Sequence, residues 1–337
     1  MRRRDFLALA SAAGAAMAWP IAARAQQALP VIGYLGGANE SMGYGVALAA
    51  YRRALAEAGF VEGKTLQIEW RWEDGDNDKA LPFLNDLIER HCSVLTLTGG
   101  WNGGQPVGTG PIYQALFGSG IPAVASFGRD PRIGGVIANL NRPERNLTGD
   151  NLQTQELEAK RLNLLHEAIP TAKTFAYLAR PADAITATLI QDTQKAAGIV
   201  GVRLVVLSAN TVAEIDSAFA TLKAMPVDAL IISANPFFGT QNRDLLTGLV
   251  TEARIPAIAE FKEFATGGAL FAYGASIDAT HYQIGAYTAA ILKGAKIADL
   301  PVVQNQTYDF VINMKTAKSL GITIPPLVFA QASEVIE

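Results

Sequence analysis

The chain has 337 residues, 28 Lys and Arg against 31 Asp and Glu for a formal charge of −3, and 50% hydrophobic residues, which suits a globular protein of about two lobes. With no basic excess to follow a phosphate backbone, nucleic acid is excluded as a partner. One cysteine, Cys92, with His91, His166 and His281 scattered as they are, builds neither a disulfide framework nor a zinc site, so no metal is expected.

Residues 1–25 differ from the rest: Arg2-Arg3-Arg4 precede an alanine-rich apolar stretch from Phe6 to Ala23 that ends in Ala23-Arg24-Ala25. This pattern predicts a cleavable signal peptide, and Arg3-Arg4-Asp5-Phe6-Leu7 fits the twin-arginine export motif. Gly14 and Pro20 weaken the segment as a membrane span, and no other stretch reaches the length required. Cleavage removes four arginines and one aspartate, taking the charge from −3 to −6 over 312 residues. The expected product is a periplasmic protein with no stable membrane insertion.

A buried strand is predicted at 31–35, closed by Gly36-Gly37, and Val46, Ala47, Ala50, Tyr51, Ala54 and Leu55 then recur at helical spacing up to Gly59. Leu66, Ile68 and Trp70 alternate with Gln67, Glu69 and Arg71 as a strand with one buried face. The cycle continues with helix 78–90, strand 93–98, a Gly-rich turn at 99–104, helix 111–118 and strand 121–126. After the connection at 141–146 come helix 154–168, strand 173–179, helix 184–199, strand 202–207, helix 211–224, strand 228–233, helix 240–253 and strands 256–260 and 269–273. Such alternation predicts two α/β lobes with parallel sheets, whose ligands bind beyond the carboxyl ends of the strands.

Those ends carry no enzyme signature. The chain has no G-x-S-x-G elbow, no H-E-x-x-H and no phosphate-binding P-loop, and Gly108-Thr109-Gly110 runs into Pro111 without the third glycine of a dinucleotide site. No cofactor and no catalytic residue are expected. The strand-end turns instead hold Asn39, Thr98, Gly99, Trp101, Ser126, Phe127, Asn235, Phe237, Glu260 and Tyr273, with Asp183 in the turn after strand 173–179. Glycines and small hydroxyls expose dipoles to an anion, aromatics form flat apolar walls, and carboxylates pair with an ammonium. Asn39, Thr98, Gly99 and Ser126 are therefore assigned to a ligand's carboxylate, and Asp183 and Glu260 beside Asn235 to its ammonium, with Trp101 and Phe237 flanking the side chain.

The segments Val31-Ile32-Gly33-Tyr34-Leu35, Ala58-Gly59-Phe60-Val61-Glu62-Gly63-Lys64, Leu140-Asn141-Arg142-Pro143, Asn146-Leu147-Thr148-Gly149, Asn235-Pro236-Phe237-Phe238, Phe310-Val311-Ile312-Asn313 and Ile322-Thr323-Ile324-Pro325-Pro326, in this order and spacing, carry a resemblance over nearly the whole mature chain. The chain resembles the ABC transporter substrate-binding proteins related to tryptophan- and tyrosine-binding receptors. The resemblance implies a type I periplasmic-binding-protein fold, with two Rossmann-like parallel-sheet lobes joined by a three-crossing hinge. It implies an N-terminal lobe of 30–150 plus 278–301, containing helix 279–293, and a C-terminal lobe of 151–277 plus 302–337. It also implies a receptor that closes on a small organic solute, amino-acid-like by the residues above, and delivers it to an ABC permease in the inner membrane. Asn235, where the family commonly has Asp, and Trp101-Asn102-Gly103-Gly104 after the Thr98 turn depart from that pattern.

An exported enzyme on the same lobes would need a titratable pair such as Asp183 with Glu260, and a sensory receptor would partner a membrane kinase; a solute's ammonium needs only one of these carboxylates. The export reading predicts that replacing Arg3 and Arg4 by Lys leaves precursor in the cytoplasm with the mature fold intact. Unchanged periplasmic yield on fractionation and immunoblotting removes the twin-arginine assignment.

Overall fold

The computed structural model describes residues 29–37, 44–74, 76–99, 108–153, 157–183 and 185–337. The signal segment 1–25, Asn39 and Trp101 lie outside the described residues. Strands β1 (Val31–Gly36), β2 (Gln67–Trp72), β3 (Val94–Thr98), β4 (Ala123–Phe127) and β5 (Leu147–Asn151) form a first sheet. They alternate with helices α1 (Gly45–Glu57), α2 (Ala80–Glu89) and α3 (Pro111–Ser119). The short strand β11 (Val303–Gln304) completes this sheet beside β5, in the order β11-β5-β4-β3-β1-β2, with every pairing parallel.

The second sheet takes β6 (Thr174–Ala179), β7 (Arg203–Ser208), β8 (Ala229–Ile232), β9 (Ala257–Ala259), β10 (Phe271–Ala275), β12 (Tyr308–Asn313) and β13 (Glu334–Ile336), ordered β13-β12-β10-β9-β8-β6-β7. Its one antiparallel pairing is β10 with β12, where the chain re-enters the sheet from the hinge. Helices α4 (Glu158–Ala168), α5 (Thr186–Val200), α6 (Val212–Ala224), α7 (Arg243–Ala253), α8 (Lys262–Thr266), α10 (Met314–Leu320) and α11 (Pro326–Phe329) surround it. Strands β3, β4 and β6 are buried along their whole length, as parallel strands covered on both faces must be. At the edge of the first sheet β2 is half-exposed, and Trp70 and Trp72 stack at 5.3 Å beside Tyr34.

Helix α9 (Ile277–Leu292) follows β10 of the second sheet but packs on the first. Its Ile284 joins Ile32, Tyr34, Leu48 and Tyr51 in one apolar cluster, and a buried hydroxyl chain runs from Tyr51 through Thr96 (2.9 Å) to Thr288 (3.1 Å). Two boundaries differ from the sequence reading. The second unit was expected to resume at 302, yet Val303 and Gln304 pair with Asp150 and Asn151 of β5, so the chain leaves the first sheet only after Gln304. Helix 240–253 was expected to be continuous, but a π turn over Phe237–Gln241 precedes α7. Asn235 accepts the Phe238 amide at 3.0 Å and Asn242 donates to the Phe237 carbonyl at 2.9 Å, so side-chain amides hold the widened turn.

Gly285 sets the approach of α9 to α1, because a Cβ there would lie 2.6 Å from the Tyr51 carbonyl oxygen and 2.9 Å from the Ala54 Cβ. Gly198, inside α5, faces open space. Ala in place of a helical Gly gains up to about 1 kcal/mol in propensity, whereas overpacking costs about 1–3 kcal/mol. Gly198→Ala is therefore expected to raise stability and Gly285→Ala to lower it. Urea unfolding checks the opposite signs.

Candidate ligand-binding site

The parallel strands of each sheet run their carboxyl ends toward the other lobe, and three connections cross between them: after β5, from β10 into α9 at Ser276, and from β11 to β12 through 305–307. The crossings are tied to one another. The Asn305 amide donates to the Asn151 carbonyl (3.0 Å), Ser276 to the Thr307 carbonyl (2.9 Å), and the Asn305 side chain to the Thr280 hydroxyl (2.7 Å), which in turn donates to Asp150 (3.3 Å). Burial pushes the Asp150 carboxyl up to about 7.

Across the cleft, Tyr44, just before α1, lies near Thr240 of the π turn, and burial raises its phenol to about 12. Lys262 at the start of α8 pairs with Asp278 at the start of α9 at 3.2 Å. A small recess between the lobes is lined by Tyr44, Ala47, Arg243, Phe261, Glu263 and Asp278.

On the first lobe, Thr98, Gly99 and Ser126 come together. The Thr98 hydroxyl donates to the Tyr34 hydroxyl at 2.8 Å, and the Gly99 amide donates to Ser126 Oγ at 3.3 Å. Dipoles assigned to a ligand anion are thus already engaged within the protein. Phe127 packs in the core cluster with Leu97, Ile112 and Val136 rather than forming a wall of the cleft.

The second lobe holds the charge. Glu158 and Arg161, on the first turn of α4, are buried at 3% and 0% exposure with Nη1 3.3 Å from Oε1, and Glu260, which follows β9, is 5% exposed beside them. Glu158 also accepts the Ala234 amide at 2.8 Å, and Arg161 Nε donates to the Tyr273 carbonyl at 2.7 Å. Burial pushes the Glu260 carboxyl up to about 8; the Arg161 charge opposes this and the Glu158 charge adds to it. Burial and the Glu158 charge thus favour the protonated form of Glu260, and the Arg161 charge only partly offsets them. Gly239 makes room for it: a Cβ at that position would lie 2.5 Å from Glu260 Oε1.

The other assigned residues are arranged differently. Asn235 is satisfied internally, its Nδ2 donating to the Ser233 hydroxyl (3.1 Å) and its Oδ1 accepting from Phe238. Asp183 pairs with Arg180 at 3.1 Å, which corrects its assignment as a free counterion for an ammonium. Phe237 packs into the second-lobe core and lies under Arg180, whose Cζ is 4.7 Å from the ring centroid. Tyr273 stacks on Tyr308 at 6.0 Å. The sequence reading missed Glu158, Arg161, Arg180 and Tyr44. One signal was available: Glu158 and Arg161 fall on the same helical stripe as the buried Leu162, Leu165 and Ala168.

The described residues contain no cluster of His, Cys, Asp or Glu able to hold a metal ion, and no helix among them is long and apolar enough to cross a membrane. A model of the family described as ABC transporter substrate binding protein matches residues 47–336. A tyrosine-binding protein of Clostridioides difficile strain R20291 is 22% identical over 286 residues, covering 80% of this chain and 75% of that protein. The crystal structure of an ABC domain in complex with L-Trp from Streptococcus pneumonia superposes with a TM-score of 0.77 at 21% identity, over 91% of this chain and all of that one. The ligand-free, open structure of a Clostridium difficile substrate binding protein with adhesive properties gives 0.65 at 20% identity, over 91% and 99%. Two mostly parallel α/β lobes with these neighbours are the type I periplasmic-binding-protein fold.

A carboxyl held above its unfolded pKa binds its proton more tightly in the folded chain, so its contribution to stability is full below about 4.5 and is lost as pH rises through about 8. The Tm difference between Glu260→Gln and the unliganded parent should shift in the variant's favour from pH 5 to pH 8. A pH-independent difference in differential scanning calorimetry contradicts the burial assigned to Glu260.

Proposed function

The chain belongs to the ABC transporter substrate-binding protein family, and from that premise we propose that its cleft takes a small amino-acid-like solute whose ammonium is met by Glu260. As a member of that family it is a solute receptor rather than an enzyme. The observation that carries the ligand class is Glu260, a buried carboxyl at a strand end within electrostatic range of the Glu158–Arg161 pair. An ammonium replaces the proton that Glu260 otherwise holds and restores charge balance in a region too dry for an unpaired carboxylate. The tyrosine-binding relative and the L-Trp complex support an amino acid with an aromatic side chain.

Function then follows from closure. A ligand that touches both lobes stabilises the closed form by its differential contacts, and the closed receptor presents both lobes to an ABC permease in the inner membrane. The export motif at Arg3-Arg4 supports a periplasmic location for this encounter.

L-tyrosine and L-tryptophan are the probes. Because binding takes the proton from Glu260, affinity should rise by up to about tenfold per pH unit from pH 6 toward 8, with proton release measured by calorimetry in buffers of different ionisation enthalpy. Glu260→Gln should weaken binding more than tenfold and abolish that release. Affinity unchanged in the variant, or no binding of any amino acid by the parent, sinks this reading.

A further inference from the structure

Arg180 stands directly after the carboxyl end of β6, next in the sheet to β8, and Glu260 stands after β9 on the other side of β8. The π turn that starts at Phe237 leaves the sheet between them. A cation and an anion therefore flank the same aromatic turn, their backbones two strand spacings, roughly 10 Å, apart. We propose that Arg180 is the second recognition residue of the cleft and holds a carboxylate of the solute; this deepens the reading that Glu260 holds its ammonium.

Three observations support the assignment. The first is the open fork. Arg180 Nη1 donates to Asp183 Oδ1 at 3.1 Å, whereas Nε is buried with no acceptor. A structural Arg–Asp pair gains most from two parallel bonds, and a buried guanidinium N–H without an acceptor is costly to keep. A planar carboxylate supplies what Asp183 leaves unmet.

The second observation is rigidity. The Arg180 carbonyl accepts the Thr186 hydroxyl at 2.5 Å and the Asp183 amide at 3.1 Å, while the Ala182 amide donates to Asn210 at 2.8 Å. Phe237 supports the guanidinium from below at 4.7 Å, so its plane is set before a ligand arrives. With a side chain 20% exposed, the group remains accessible while being largely dehydrated.

The third is that other donors at the described strand ends are already engaged. Arg161 is enclosed with Glu158 and bonded to the Tyr273 carbonyl, and the Gly99 and Thr98 donors of the first lobe are taken by Ser126 and Tyr34. The assignment thus moves the carboxylate from the first lobe, where the sequence pattern put it, to the second.

The carboxylate could be the α-carboxylate or one at the far end of the side chain, and matched probes separate the two sources. L-tyrosine and tyramine differ only in the α-carboxylate, and L-4-carboxyphenylalanine and L-phenylalanine only in the remote one. Titration calorimetry of Arg180→Gln should show a loss of tenfold or more for the carboxylate-bearing member of the responsible pair and none for tyramine. Arg180→Lys, which keeps the charge without the fork, should recover part of the loss. Asp183→Asn, which frees the guanidinium, should tighten carboxylate probes, a gain that a damaged fold cannot mimic. Equal losses for carboxylate-bearing and carboxylate-free probes in Arg180→Gln, or no loss, overturn the assignment.

The parent separates the two readings. Binding of tyramine with rejection of every carboxylate overturns the role of Arg180 and spares that of Glu260. Binding of 3-(4-hydroxyphenyl)propanoate with rejection of tyramine does the reverse. A parent that binds no probe overturns both.

Discussion

Enclosing Arg161 with Glu158 in direct contact leaves a second carboxyl, Glu260, to be accommodated in the same dehydrated region of the second lobe. Burial and the Glu158 charge both disfavour ionisation of Glu260, and the Arg161 charge offsets them only in part. The rest of the ligand face accommodates this constraint. Helix α4 begins at Glu158 so that the carboxylate can receive the Ala234 amide, position 239 is glycine so that the Glu260 carboxyl has room, and Arg161 reaches across to the Tyr273 carbonyl at the mouth of the hinge. The Glu158–Arg161 pair thereby ties α4 to the ends of β8 and β10.

The two lobes solve different problems at their strand ends. In the first, the Glu73 carboxyl after β2 is buried with Oε1 unpartnered, but elsewhere hydroxyls and amides satisfy each other: Thr98 with Tyr34, Gly99 with Ser126, Thr280 with Asn305. Such a network costs little to bury and keeps its shape. The second lobe retains uncompensated electrostatic capacity, with Glu260 on one side of the π turn and Arg180 on the other.

Much of this organisation was legible in the chain. Strands such as β3 and β6 announce themselves as short apolar runs between turn residues, and α1 by its stripe from Val46 to Leu55, because burial on two faces or on one leaves a different period in the sequence. Glu260 stands out in the sequence because a carboxylate at a strand end can pair with an ammonium, and the structure buries it. The partners were not legible. Whether Asp183 meets an ammonium or Arg180, and whether Asn235 faces a ligand or holds the Phe237 turn, depends on side-chain contacts made within a few residues, which spacing alone does not fix. Pairing of Val303 and Gln304 with β5 is likewise set by where the hinge lets the chain turn, since two residues carry no period of their own.

Lys262 reaching Asp278 has a consequence for selectivity in traffic rather than in binding. Bonds that join the lobes without involving the solute favour closure whether or not the receptor is loaded, so they raise apparent affinity and, equally, the fraction of empty receptors in the closed shape. A membrane partner that reads only that shape would then be blocked by unloaded copies. For such a partner, the strength of the Lys262–Asp278 pair would set a compromise between capturing a dilute solute and idling the partner, away from Glu260 and Arg180.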